Sequence, residues 1–249
     1  MKGDIGMNPL SKKYITEHSA LLEKWRRRHE AKGYTDFIYD GIINPNIDEW
    51  FNQKERVLFI LKEGYNKEKP GHPTSLVEAL RDPKQRVSRI WKNVCRWYYC
   101  LTQITSQDIP SFEECMYSAD NCTNVERCAI INIKKSDGKS ESDSDNLKAF
   151  VKDDNDLIKQ QIELINPTII ICGYTFHLLK DYPSGKLQAD YKIFSCDTSK
   201  ELDAIGCYDI NNKLVISYYH PSNHYPDNLN YYGFAGLYRD YLCKGKEQR

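Results

Sequence analysis

Polar side chains that can act on a substrate follow several short apolar runs of this sequence. Glu63 comes two residues after the run VLFIL, Asn132 lies within CAIINI, and His220 directly follows LVISYY. A carboxylate can stabilise a cation or orient a water, an amide offers one donor and one acceptor side, and an imidazole can donate a hydrogen bond. If the three runs are strands of one sheet, an acid, an amide and an imidazole meet at one edge.

The apolar runs are four to six residues long and rich in β-branched and aromatic residues, and they are nearly continuous rather than alternating. They cover residues 57–61, 128–133, 168–172 and 214–219, with a weaker run at 191–195. This pattern is typical of strands buried on both faces. Helical spacing of apolar residues predicts helices over roughly 85–104 and 146–165. Alternating strands and helices predict an α/β domain with a mainly parallel sheet, whose ligands bind at the carboxyl ends of the strands.

The remaining segments complete a single domain over residues 1–249. Residues 1–54 are predicted to be an N-terminal helical extension, with Trp25 on an apolar helix face, and residues 55–243 are predicted to be the sheet core. The polar segment 134–146 has no periodicity and is interpreted as a mobile loop over the rim of the sheet.

The composition excludes several classes of protein. The 35 basic and 35 acidic residues cancel, which excludes a strongly basic nucleic-acid coat. No stretch reaches the roughly 20 apolar residues of a membrane helix, and no secretory signal is visible. The nine cysteines include no CxxC pair, so we expect a reducing cytoplasm, no disulfide framework and no zinc site.

Each candidate residue also has a purely structural interpretation. Glu63 can be a solvated loop residue or a helix cap, Asn132 can bond the backbone at the end of its strand, and His220 can belong to a rigid turn before Pro221. Two other enzyme classes lose support, because the sequence has no G-x-S-x-G elbow and no G-x-G-x-x-G after the first strand.

The order of these motifs resembles the uracil-DNA glycosylase superfamily. Three segments carry the resemblance, LFILKEGYN, INIKK and SYYHPSN, and the strand-then-glycine of IIICG is similar to the central strand of the family. The resemblance covers roughly residues 55–242. It implies a three-layer α/β/α sandwich with a central, mainly parallel four-stranded sheet, preceded in this chain by an N-terminal helix.

The resemblance implies hydrolysis of the N-glycosidic bond of uracil or another damaged base in DNA. Glu63 would stabilise the sugar cation and orient water, His220 would stabilise the departing base, and Asn132 would match the uracil edge. The other implied residues bind substrate or DNA phosphates. Substrate binding is assigned to Gly64, Tyr65, Asn66, Tyr174, Ser222 and Asn223, and phosphate contact to Lys134, Lys135 and Lys139.

The sequence departs from the family pattern at two points. Lys62 stands where the family has a leading glycine, and the N-terminal CxxC of the iron–sulfur subfamilies is missing. We therefore expect no cluster and no cofactor, and the expected partner is DNA, single-stranded or damaged, or a nucleobase-containing ligand, with no membrane. The alternative is a non-catalytic member of the same fold that binds a nucleic acid or nucleotide.

Overall fold

The apolar runs of the sequence form the centre of a mixed, six-stranded sheet. The computed structural model describes residues 7–64, 71–119, 122–179 and 205–247. In chain order the strands of the main sheet are β2 (Gly41–Ile42), β3 (Val57–Glu63), β5 (Cys128–Lys134), β6 (Ile169–Gly173), β7 (Gly206–Ile210) and β8 (Lys213–Tyr218). Two further short strands, β1 (Ile38–Tyr39) and β4 (Thr74–Ser75), pair in parallel with each other.

The spatial order of the main sheet is β2-β5-β3-β6-β8-β7. Strand β3 is parallel to β5 and to β6, and β6 is parallel to β8, whereas β2 and β7 pair antiparallel at the two edges. The predicted α/β class is confirmed. The predicted number of four strands is too small, because the two edge strands were not recognised, and the weak run at 191–195 lies outside the described residues.

Helices cover both faces of the sheet. They are α1 (Pro9–Glu30), α2 (Ile47–Asn52), α3 (Leu76–Arg81), α4 (Arg89–Gln103), α5 (Phe112–Ala119), α6 (Ser144–Ile165), α7 (Phe176–Leu179) and α8 (Asp227–Glu247). The two helices predicted from apolar spacing correspond to α4 and α6. Helix α6 ends at Asn166, which takes the left-handed conformation (φ 48°) that asparagine adopts more readily than most residues.

Alternate side chains of β3 point to opposite faces of the sheet. Phe59 stacks on Trp97 of α4, which also stacks on Phe234 of α8. Leu58 and Ile60 point the other way, into a core shared with α1 and α6. Because every residue from 57 to 61 is almost completely buried, the continuous apolar pattern reflects a strand that is covered on both sides.

The N-terminal helix α1 belongs to one of these layers. Trp25 is fully buried, and Arg28 at the C-terminal end of α1 forms a two-pronged ion pair with Asp156 of α6, at 2.8 and 3.0 Å. Trp50 of α2 donates its indole N–H to the carbonyl of Ile165 at 2.9 Å. The segment predicted to be an extension therefore packs against the sheet core and supplies the edge strand β2.

The loop within the polar segment 134–146 is shorter than predicted from the sequence. Lys134 is the last residue of β5, and Lys135 and Ser136 are buried. At the other end Asp143 accepts hydrogen bonds from two backbone N–H groups and begins α6.

The cysteines within the core behave as small apolar side chains. Cys95, Cys100 and Cys128 are fully buried in the cluster beneath α4. Burial raises the thiol pKa of Cys100 and of Cys128. In the part of the chain that the structure describes, no helix has the length and apolar character needed to span a membrane.

Candidate functional site

The carboxyl ends of the parallel strands bring the predicted residues to one edge of the sheet. In the register of the sheet, Leu61 of β3 lies opposite Asn132 of β5, and Glu63 lies opposite Lys134. His220 follows the end of β8, on the far side of β6. The edge is shared, but Glu63 and His220 are separated by the intervening strand.

Glu63 is held in a buried ion pair. Its Oε2 lies 3.1 Å from Nζ of Lys134, and the two side chains are only 3% and 2% exposed. The same oxygen accepts the backbone N–H of Lys139 at 3.1 Å, and Lys134 also donates to Asn146 Oδ1 at 2.7 Å. The carboxylate therefore ties the loop after β5 to the end of β3.

The placement of the lysines corrects their predicted contact with phosphates. Lys134 is engaged with Glu63, and Lys135 is fully buried with its Nζ 2.6 and 2.7 Å from the two carboxylate oxygens of Asp40. Neither ammonium group reaches the surface, so neither can contact DNA in this arrangement. Of the three lysines, only Lys139 is exposed.

Asp40 is a residue that sequence reasoning missed. Its Oδ2 accepts the backbone N–H of Asn132 at 2.8 Å, while its Oδ1 accepts a hydrogen bond from the amide of Gln161 at 2.9 Å. Burial lowers the pKa of Lys135, and the adjacent Asp40 opposes that shift. The sequence holds no signal for this pair, because a lone Asp in a turn looks like any solvated loop residue.

Gly64 and Asn132 are close neighbours at the edge. Asn132 is 3% exposed. A Cβ atom added to Gly64 would collide with Cδ1 of Ile38 and would lie 3.5 Å from the Asn132 amide nitrogen. A side chain at position 64 would therefore displace the end of the Ile38 side chain, whereas its contact with Asn132 would be an ordinary van der Waals contact. Tyr65 and Asn66, both predicted to bind substrate, lie outside the described residues.

His220 is fixed by the turn that comes after it. Its Nδ1 lies 2.7 Å from Oγ of Ser222 and accepts the backbone N–H of the same residue at 3.2 Å. Burial, and then the positive charge of Lys62, lower the pKa of His220 to about 4. At neutral pH the ring is uncharged, and since Nδ1 accepts, this hydrogen bonding assigns the proton to Nε2.

The side chain of Asn223 is hydrogen-bonded within the same turn. Its Nδ2 donates to the carbonyl of His220 at 2.9 Å and to Asn230 Oδ1 at 3.1 Å, and its Oδ1 accepts the backbone N–H of Tyr225. The amide thus makes contacts within its own loop on both its donor and its acceptor side. These contacts let Asn223 position His220, and its substrate-binding role stays a prediction.

Lys62 and Tyr174 form the exposed part of the edge beside His220. Tyr174 follows β6 with a left-handed backbone (φ 56°) and is 49% exposed. Nζ of Lys62 lies 4.7 Å from the centre of its ring, a cation–π contact. Burial lowers the pKa of Lys62. The sequence identified Lys62 only as a departure from a family pattern, whereas the structure places a cation next to the imidazole.

The contacts of these side chains place them in two groups. On the β5 side, Glu63 forms an internal ion pair with Lys134 and accepts the backbone N–H of Lys139. His220, with Ser222, Lys62 and Tyr174, forms an accessible group on the β6 and β8 side, which presents a neutral N–H donor, a cation and an aromatic face. This second group can recognise a flat ring and stabilise negative charge on it.

Comparison with known proteins adds no family: no family model and no curated protein matches this chain.

The buried pair of Lys135 and Asp40 predicts a specific stability pattern. Lys135→Met should lower the free energy of unfolding by about 3–5 kcal/mol, because it leaves the Asp40 carboxylate buried without a partner. The double variant Asp40→Asn with Lys135→Met should be less destabilised, since it buries no charge and keeps an acceptor for Asn132. Urea unfolding measures both. Lys139→Met is the control and should change stability by less than about 0.5 kcal/mol; equal effects of Lys135→Met and Lys139→Met would disprove the assignment.

The environment of His220 predicts its titration. An NMR pH titration should show its inflection near 4 rather than 6.5. In Lys62→Gln the pKa should rise but remain below 6.5, because burial is the larger cause. In the wild type, between pH 6.5 (the pKa of the unfolded chain) and about pH 4 (that of the folded chain), only the unfolded chain binds a proton at His220. The free energy of unfolding therefore falls as the pH drops from about 6.5 to about 4. A wild-type inflection near 6.5 would contradict this description.

Proposed function

We propose that this chain is a DNA glycosylase-like protein that hydrolyses the N-glycosidic bond of uracil or another damaged base. The observation that carries the proposal is the neutral imidazole of His220 at the carboxyl edge. Ser222 holds it with the proton on Nε2, which has no acceptor among the described residues. The resemblance of the motifs around positions 63, 132 and 220 supports the same conclusion.

Recognition of the base is assigned to two side chains of different kinds. The amide of Asn132 offers a donor and an acceptor, which match the carbonyl and N–H groups on the edge of uracil. Asn132 is only 3% exposed, so, like Glu63, it meets a base only when the residues that cover it move. Tyr174 offers a half-exposed ring on which a base that has left the DNA stack can lie.

Stabilisation of the leaving group is assigned to His220 and Lys62. When the bond between C1′ of the sugar and the base nitrogen breaks, the bonding electrons remain on the base and its carbonyl oxygens gain negative charge. The Nε2–H of His220 donates to such an oxygen, and the ammonium group of Lys62 contributes positive charge at the same place. Water then adds to C1′ and loses a proton to solvent.

The ion pair of Glu63 limits the part that this residue plays. With a side chain that is 3% exposed and bonded to Lys134, the carboxylate does not reach a substrate unless the loop after β5 moves. We therefore assign Glu63 a positioning role in this arrangement, and the stabilisation of the base anion, not activation of water, is the main source of rate acceleration.

The same observation favours one alternative function. A protein whose carboxylate is locked in an ion pair, but whose imidazole and aromatic face are accessible, can bind a base without cutting its bond. A non-excising nucleobase-binding protein is therefore the second candidate. It differs from the first in a single measurable property, the appearance of abasic sites in the DNA.

The test is excision from a labelled single-stranded oligonucleotide that carries one uracil, followed by alkaline cleavage of abasic sites. His220→Gln should lower the single-turnover rate about 100-fold or more, since removal of one such donor costs about 10²–10³ in rate. The matched control is His224→Gln, an exposed histidine on the same turn, which should retain the wild-type rate. Glu63→Gln should retain more activity than His220→Gln.

The outcomes separate the two candidates. Binding of the uracil oligonucleotide without any abasic product, across a panel of deaminated bases, would replace the glycosylase by the non-excising protein. Excision that survives His220→Gln would contradict the assigned mechanism. If the protein neither binds nor cuts the oligonucleotide, both candidate functions are ruled out.

A further inference from the structure

A cavity of about 590 Å³ opens between helix α1, strands β1 and β4, and helix α3. This volume lies within the range of small-molecule sites in proteins. The residues that line it do not include Lys62, Tyr174 or His220. The cavity is therefore a separate feature of the molecule, and a ligand bound in it would be independent of the proposed glycosylase activity.

The inner wall of the cavity carries two buried polar rings. Tyr14 and His18 lie one helical turn apart on α1, stack with ring centres 4.4 Å apart, and are 6% and 7% exposed. The phenol oxygen of Tyr14 accepts the backbone N–H of Ile42 at 2.9 Å, and Nε2 of His18 lies 3.1 Å from the amide nitrogen of Gln161. Gly41 allows this close approach, since a Cβ there would meet both rings.

Each ring keeps a hydrogen-bond donor that the described residues do not use. Burial lowers the pKa of His18 to about 3 and raises that of Tyr14, so both groups are uncharged at neutral pH. The amide of Gln161 also donates to Asp40 Oδ1, which fixes its nitrogen toward His18 and leaves the imidazole proton on Nδ1. Within the described residues, neither this N–H nor the phenol O–H has an acceptor. Buried donors of this kind are normally paired.

The charged groups around the cavity favour an anion. Arg81 donates its Nε–H to the carbonyl of Ile43 at 3.1 Å, and its remaining guanidinium nitrogens make no ion pair within the described residues. The carboxylate of Glu23 is already bonded to Arg26 and Arg27.

Two other carboxylates line the same space. Asp40 is paired with Lys135 deep in the core, and Glu78 is exposed on the surface of α3. The groups that remain available in the inner part are therefore two donors, the phenol of Tyr14 and the imidazole of His18. The exposed guanidinium of Arg81 lines the outer part of the same space.

Part of the remaining lining is apolar and suits a flat hydrocarbon body. The aliphatic side chains are Ile15, Leu22, Ile42, Ile47 and Val77, and the polar Ser19, Thr74 and Ser75 also line the cavity. Ile15 is 45% exposed.

We propose that this cavity binds a small aromatic carboxylate. The carboxylate accepts hydrogen bonds from Tyr14 and His18 and pairs with Arg81, and the aromatic body packs between the apolar side chains of α1 and α3. This places the acceptors of the ligand where the chain has unused donors, and its apolar surface where the chain has apolar walls.

The test uses 2-naphthoate and its uncharged amide, 2-naphthamide, as probes of the full chain by isothermal titration calorimetry. We expect 2-naphthoate to bind with a Kd below 1 mM, which corresponds to about −4.1 kcal/mol, and the amide to bind at least tenfold more weakly. Arg81→Gln should weaken 2-naphthoate at least tenfold. Arg127→Gln, which removes an exposed arginine away from the cavity, should leave its affinity unchanged.

A blocking variant keeps the test independent of charge. Ser19→Trp places a large ring at an exposed position on the cavity wall and should abolish binding while the circular dichroism spectrum and melting temperature stay close to wild type. No binding of 2-naphthoate to the wild type, equal affinity for the amide, or full affinity in Ser19→Trp would each overturn the proposal. None of these measurements involves DNA, so failure here is distinct from failure of the proposed glycosylase.

Discussion

The ion pair between Lys135 and Asp40 is the interaction on which the arrangement of this edge depends. Both side chains are completely removed from solvent, and the ammonium lies 2.6 and 2.7 Å from the two carboxylate oxygens. Removal of two charges from water is costly, and it is offset only when every partner is in place. Here the partners are the backbone N–H of Asn132, the amide of Gln161 and the ring of Trp25, 4.9 Å from the ammonium. The pair thereby joins strand β5 to helices α1 and α6.

The ion pair explains why the polar residues after β5 are buried and bonded to other side chains of the core. Next to the pair, Nδ1 of His29 lies 2.9 Å from Oγ of Ser136, and its Nε2 lies 2.7 Å from Oδ2 of Asp154. The order of serine, histidine and aspartate is that of a hydrolytic triad, but all three residues are at most 1% exposed. No substrate reaches them, so the chain of hydrogen bonds is structural. What the edge presents to solvent is the group on the other side of β6, around His220.

The sequence predicted the fold well where one physical signal dominates. Residues 57–61 and 169–172 are apolar without interruption because helices cover both faces, and this pattern predicts an α/β sheet. The edge strands β2 and β7 were missed because Gly41–Ile42 is only two residues long and Gly206–Ile210 is half-exposed and mixed in character. Neither strand produces the continuous pattern by which the others were recognised.

The sequence predicted that these residues share one edge of the sheet, but not which of them pair with each other. That Glu63, Asn132 and His220 end parallel strands follows from the order of elements. That Glu63 lies opposite Lys134 depends on the register of two strands about 70 residues apart in the chain, which local sequence does not encode. For the same reason Lys134 and Lys135 were predicted to be surface lysines, and Lys62, the cation that does lie beside His220, received no role.

The most direct measurement is an NMR experiment on the histidine side-chain nitrogens of the full chain, with a single-stranded oligonucleotide carrying 2′-fluoro-2′-deoxyuridine. The fluorine slows cleavage of the glycosidic bond, so that the complex persists. We predict that Nε2 of His220 shifts on binding and that the ring keeps the signature of a neutral imidazole, while His224 is unchanged. An unchanged His220 at saturating oligonucleotide, or the same shift with cytosine in place of the uracil analogue, would contradict a base-recognition site at this edge of the sheet.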